Sequence, residues 1–205
     1  MIIRPARSSD IDSIIDIHIK AFPSFFLTNM GRKFLKELYS GFLAHAILLV
    51  AEDQHKLGFV AGTCSPESFF PRLRQNRGLR FMIYAVPSLV KSPKVVFKKL
   101  FSALNYRGDK IVSLEGGTLL SSIGVLPEAQ GKSVGRALLE AFEVEAFSKG
   151  SSYIYLITDA TDNDTVNNFY KKYQYSIEST FLQSGGRRMY RYIKYNSLSS
   201  EHNTR

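Results

Sequence analysis

The sequence predicts an α/β (α+β) fold, a mixed sheet with helices on both faces. Three observations lead there. Strand-like and helix-like segments alternate through the chain. Hairpin patterns sit near both ends, which an all-parallel sheet does not accommodate. The composition is globular, 44% hydrophobic and 22% charged over 205 residues, which excludes a disordered chain. This length predicts one domain, 1–195, with a polar tail at 196–205 that frays.

The elements follow in order. Met1 to Pro5 is a short apolar strand. Ser9 and Asp12 read as a capping box. After them Ile11, Ile14, Ile15, His18, Ile19 and Phe22 repeat on one helical face. His18 lies on that apolar face and reads as a packed core histidine. Thr28 to Leu43 is a second helix, carrying Phe34, Leu35, Leu38 and Tyr39. Ala46 to Glu52 and Leu57 to Thr63 are strands joined by a polar turn. Thr118 to Leu126 is an apolar strand stopped by Pro127. Gly131 to Lys149 is a helix with Val134, Ala137, Leu138, Ala141 and Phe142 on one face, and Glu140, Glu143 and Glu145 mostly outside it. Lys149-Gly150 stops it. Tyr153 to Thr158 is a buried-type strand and Asn163 to Tyr173 a short helix. Ser176 to Gln183 and Arg188 to Tyr195 form a hairpin around Ser184 to Arg187.

A single cysteine, Cys64, excludes an internal disulfide framework and a thiolate zinc cluster. No apolar run reaches the ~18 residues of a membrane span. The N-terminus MIIRPARSSD has no apolar signal core, so the expected compartment is the cytoplasm.

The charge is +9, from 27 Lys plus Arg against 18 Asp plus Glu. Nearly all of it sits in one block. Residues 66–110 hold ten basic side chains opposed by Glu67 and Asp109, a net of +8 that leaves +1 for the rest. Within the block Val96, Leu100 and Leu104 recur every four residues beside Phe97 and Phe101, with Lys94 and Lys98 opposite. That pattern predicts an amphipathic helix. A helix packed over the sheet with a solvated basic face, a membrane-surface helix and a lid over an anionic substrate all fit it. Nucleic acid is not expected, because no nucleic-acid motif accompanies the charge.

The chemistry signal is the junction IGVLPEAQGKSVGRALL, Ile123 to Leu139. A strand runs through a polar loop into a glycine-rich helix start. The free amides and dipole of a first helical turn bind anions, and glycine lets a phosphate approach the backbone. Gly131-Lys132-Ser133 imitates the end of a P-loop, but no glycine stands five residues earlier. Gly131 to Gly135 matches a G-x-S-x-G elbow, but Pro127 to Gln130 separates it from the strand, and His202 is the only later histidine.

Gln130 to Leu138 resembles the acetyl-CoA signature of the GCN5-related N-acetyltransferases (GNATs), [RQ]-x-x-G-x-[GA]. The preceding strand ends I-x-V-x-P at Ile123, Val125 and Pro127, as in that family. About 30 residues on, NDTVNNFYKKYQY, Asn163 to Tyr175, resembles its N-x-x-A-x-x-[LF]-Y-x-x-x-G-F segment. Asn163, Phe169, Tyr170 and Lys172 match. Val166, Gln174 and Tyr175 replace alanine, glycine and phenylalanine, and Ser133 stands at the family's middle glycine. The resemblance spans nearly the whole chain except the basic block.

The resemblance implies a mostly antiparallel sheet of about seven strands, with the basic block as a helical insert between strands 3 and 4. It implies acetyl-CoA as acyl donor, with no metal. Gln130, Gly131, Lys132, Ser133, Val134, Gly135 and Arg136 would hold its diphosphate. Ile123 and Val125 would pair with the pantetheine arm, and Asn163 would contact that arm or cap its helix. Tyr170 would be the general acid for the leaving thiolate. An amine would attack directly, so no serine or cysteine nucleophile is needed. The base is not readable; Glu115 is the nearest acidic side chain. Phe22, Phe25 and Phe26 are placed either to line the acceptor pocket or to pack the loop. Sugar, amino-acid, polyamine and peptide amines remain open. So do an anionic acceptor, a membrane surface or acidic partner at 66–110, and a homodimer. The alternative function is a non-catalytic CoA- or anion-binding module whose insert docks on an anionic surface.

Overall fold

The computed structural model describes residues 1–91, 116–183 and 186–196. Its strands are β1 (Ile2–Pro5), β2 (Ile47–Glu52), β3 (Lys56–Thr63), β4 (Gly117–Val125), β5 (Tyr153–Asp159), β6 (Ser176–Gln183) and β7 (Arg187–Tyr195). Its helices are α1 (Ile11–Ala21), α2 (Phe26–Asn29), α3 (Arg32–His45), α4 (Pro66–Lys91), α5 (Val134–Ser148) and α6 (Asp164–Lys172). The strands form one sheet in the order β1-β2-β3-β4-β5-β7-β6. Only β4 and β5 run parallel; the other neighbours are antiparallel. This is the mixed, mostly antiparallel sheet that the sequence predicts.

Helices cover both faces, and β3 shows why. Successive strand side chains point to opposite faces. Phe59 turns to one face and meets Tyr39 of α3 and His18 of α1. Gly58 and Gly62 turn to the other, under α5. A Cβ on Gly62 would lie 2.4 Å from the Phe142 ring, and one on Gly58 would lie 2.9 Å from Leu138. The missing side chains let α5 sit directly on the sheet. Leu138 and Phe142 are fully buried there, each contributing about 1.5–3 kcal/mol.

Several boundaries differ from the sequence reading. The expected Ser9–Asp12 box is replaced by Asp10, whose carboxylate accepts the Arg7 amide at 2.8 Å and binds Arg4. The helix expected from Thr28 to Leu43 is two helices, because Gly31 adopts φ +86° between α2 and α3. Gly131 to Ser133 are not helical. Gly131 and Ser133 adopt φ +76° and +61°, which a right-handed helix excludes, so α5 begins at Val134. Glu143 is not on an open face; it is buried and takes an ion pair from Lys194 at 2.7 Å.

The basic block begins with a helix after β3, as an insert between strands 3 and 4. The structure places helix at Pro66–Lys91, ahead of the run for which the sequence predicts one. It runs antiparallel to α3. Phe69 stacks on Phe42, Arg77 pairs with Glu37, and Phe81 packs against Phe34 at 4.7 Å. The amphipathic run Val96 to Leu104, the Ser184-Gly185 turn and the tail from 197 lie outside the described residues, as does Glu115.

Candidate active site

Strand β4 pairs with β3 from Leu119 to Val125 but with β5 only from Gly117 to Leu119. Beyond Leu119, β5 continues along β7 instead. The two parallel strands therefore splay. The β4 backbone from Leu120 to Val125 keeps its β3 partner on one side and opens to a cleft on the other. A bulge falls at the same place: Ala61 pairs with Ser122 and Gly62 with Leu120, leaving Ser121 as the extra residue. Bulges bend a strand and re-aim its side chains.

The cleft is floored by the turn into α5. Pro127–Ala129 forms one 3-10 turn. Gln130 is extended, and Gly131 and Ser133 take left-handed backbone angles. The chain thereby enters α5 with a run of outward amides. Ala137 donates to Ser133 at 3.0 Å, the first bond of the helix. The amides of residues 131–136 have no acceptor among the described residues. A Cβ on Gly131 would meet nothing within 4 Å. Gln130, Gly131, Lys132, Ser133 and Arg136 are exposed, while Val134 anchors the turn in the core. Six amides, the positive end of α5 and two cationic side chains form a cradle whose donors and charge are of the kind that can hold an anion. The Arg136 guanidinium is held by Glu140 at 2.8 Å.

Helix α6 closes the other wall. Asn163 stands at its N-cap position but makes no cap hydrogen bond. Its side-chain amide donates instead to Thr158 Oγ1 and to the Asp159 carbonyl, at 2.8 and 3.0 Å. Asn167 donates to the same carbonyl and accepts the Tyr192 hydroxyl at 3.2 Å. These bonds tie α6 to the end of β5. Asn167 is 4% exposed and was missed in the sequence; its only signal is its place one turn after Asn163. Phe169 reaches the start of α5, 3.5 Å from the Cβ position of Gly135. The two motifs are thus in contact.

Tyr170 sits behind Phe169 and is 5% exposed. Its ring packs on Phe169, Tyr175 and Tyr192. Its hydroxyl makes no hydrogen bond among the described residues. Burial pushes its pKa well above the ordinary phenol value, so the group is a donor at neutral pH.

The first-loop aromatics approach the cleft from the opposite side. Phe25 is 43% exposed and Phe26 half-buried. Phe22 packs beneath them against Gly124, whose Cβ position lies 3.2 Å from that ring. His18 is fully buried under this loop, as its apolar face predicts. Its Nδ1 lies 2.6 Å from the Tyr39 hydroxyl. Burial lowers its pKa to about 4, so the ring is neutral near pH 7. Among the described residues no group of acidic, histidine and cysteine side chains could hold a metal.

Comparison with known proteins agrees with this geometry. The family described as Acetyltransferase (GNAT) family matches residues 11–175. A search of curated protein sequences finds no match. Among solved structures, histone acetyltransferase HPA2 and related acetyltransferase from Corynebacterium glutamicum superposes with a TM-score of 0.62 at 16% identity, covering 95% of this chain and 96% of that one. Aminoglycoside 6'-acetyltransferase type Ii gives 0.61 at 18%, covering 95% and 97%. Ribosomal-protein-alanine N-acetyltransferase from Brucella melitensis gives 0.56 at 15%, covering 96% and 100%. At these identities the likeness is one of fold. The family match extends from α1 through both motifs of the cleft, and the chain belongs to the GNAT family of acetyltransferases.

Proposed function

We propose that the chain transfers an acetyl group from acetyl-CoA to a primary amine of a small molecule or peptide, by direct attack in a ternary complex. One observation carries the reading: the splayed edge of β4 leads directly onto the unpartnered amides of residues 131–136.

The residues present fit the donor. The empty space over Gly131 admits a phosphate, and the amides from Gly131 to Arg136 donate to its oxygens, flanked by Gln130 and Lys132. The Ser133 hydroxyl adds a donor where a glycine would have none. The open edge at Ile123 and Val125 accepts an extended arm as an added strand. Asn163 holds the end of β5 that borders the arm. A β4 amide in the cleft polarises the acyl carbonyl as its charge develops. Acetyl-CoA supplies an acyl group already activated as a thioester.

Tyr170 donates the proton that the departing sulfur needs. A thiol has a pKa near 8.5 and a phenol near 10. The low-dielectric surroundings that raise the phenol disfavour a bare thiolate as well. Phe25 and Phe26 line the acceptor side, where an amine reaches the carbonyl from the α1–α2 loop.

The test is an amine panel with thiol-release detection, preceded by thermal shifts. Stabilisation by acetyl-CoA but not by ATP supports the reading. No response to either would favour a non-catalytic module whose insert does the binding.

A further inference from the structure

Helix α4 carries two apolar faces, and among the described residues only one has a partner. Phe69, Leu73 and Phe81 are buried against α3. Leu79, Met82 and Ile83 lie on the opposite side and are 69%, 52% and 56% exposed. Positions i, i+3 and i+4 form one contiguous patch on a helix. Single exposed apolar residues are ordinary, but a grouped outward patch marks a contact surface.

Its surroundings are cationic. Arg72 is exposed two turns earlier and has no ion pair among the described residues. Arg80 is 63% exposed and shares the single carboxylate of Glu37 with Arg77. Lys33 lies over the Tyr84 ring. The helix itself carries five basic residues, Arg72, Arg74, Arg77, Arg80 and Lys91, against the single acidic Glu67. Among the described residues no helix is long and apolar enough to cross a membrane. An apolar patch bordered by basic residues on a helix that does not span suits the headgroup region of an anionic bilayer.

We propose that the outward face of α4, centred on Leu79, Met82 and Ile83, docks on anionic lipid surfaces. The apolar side chains enter the interface and the arginines meet lipid phosphates. The docking also orients the α1–α2 loop. Because α3 and α4 are antiparallel, with Phe81 against Phe34 and Tyr84 beside Lys33, this patch lies at the start of α3. The α1–α2 loop with Phe25 lies at the same end. Docking would hold that loop close to the bilayer. The inference rests on the surface of α4 and is independent of acyl transfer.

The experiment is co-sedimentation of the full chain with vesicles. One set is pure phosphatidylcholine, the other equal parts phosphatidylcholine and phosphatidylglycerol, each at low and high salt. The chain is expected to sediment with the anionic set only, and high salt should weaken binding about tenfold or more. The triple variant Leu79→Gln, Met82→Gln, Ile83→Gln should lose binding by a similar factor. Arg72→Glu should weaken it less. These side chains are exposed, so the variants should keep the wild-type melting curve and acetyl-CoA response. Absence of binding to the anionic vesicles, or full binding by the triple variant, overturns the proposal. So does a dimer that the triple variant dissociates in a chain that ignores vesicles. The acetyl-CoA response is read separately, so failure of docking and failure of the catalytic reading are distinct results.

Discussion

The edge of the Phe169 ring lies 3.5 Å from the Cβ position of Gly135. This contact joins α5, whose first turn carries the unpartnered amides, to α6, which carries Tyr170. A methyl group fits there at ordinary contact distance. Gly135→Ala should therefore keep the cleft and raise helix stability by up to about 1 kcal/mol. Gly135→Val should push α6 outward, costing about 1–3 kcal/mol, and should lower turnover with acetyl-CoA. Urea midpoints and thiol-release rates check both. Equal behaviour of the two variants would show that the contact does not position α6.

Tyr170 separates packing from chemistry. Its ring is enclosed by aromatics and its hydroxyl is unclaimed among the described residues. Tyr170→Phe should keep the fold while kcat falls about 100-fold, the scale of general acid catalysis. Full turnover at saturating substrate would remove the acid assignment.

Ser133 and Gln174 stand where the family pattern has glycine, and both adopt left-handed angles, φ +61° and +67°. The chain keeps the glycine conformation without the glycine. A side chain in that region costs about 1–2 kcal/mol, partly offset by glycine's greater loss of freedom on folding. Ser133→Gly and Gln174→Gly should each raise stability by up to about 1 kcal/mol. Gly131→Ala should lower it, from its φ of +76° and not from any clash. Denaturant midpoints of the three variants test this; a loss in Ser133→Gly would mean that its hydroxyl outweighs the strain.

The buried His18 sets a pH dependence. Its folded pKa, about 4, lies below the ordinary value of 6.5. Between these values the unfolded chain binds the proton and the folded chain does not. Stability is therefore full above pH 6.5 and falls as pH drops toward 4, by about 3 kcal/mol at most. His18→Gln keeps a polar partner for the Tyr39 hydroxyl and should flatten that slope. An unchanged slope in the variant would place the titrating group elsewhere.

The central strands are legible in the sequence because each is a short apolar run bounded by turn residues, as in Tyr153 to Thr158. The cradle and α6 are legible because glycines and Asn163, Phe169 and Tyr170 fall at fixed spacings. Other features depend on contacts that periodicity does not carry. The first half of the insert is a helix although arginines break its apolar period and Leu79, Met82 and Ile83 face outward. Glu143 falls mostly outside the apolar face of its helix, yet Lys194, 51 residues away, pairs with it. The start of α5 is displaced because serine takes a backbone angle that residue statistics assign to glycine.

The β4 edge and the amides from Gly131 to Arg136 are proposed to bind acetyl-CoA. The most direct measurement is the melting temperature of the full chain with acetyl-CoA and, in parallel, with ATP. At a hundredfold excess over the dissociation constant, binding to the folded state alone adds about 2.7 kcal/mol, a shift of several degrees. That shift is expected with acetyl-CoA and not with ATP. An unmoved melting curve with acetyl-CoA would contradict it.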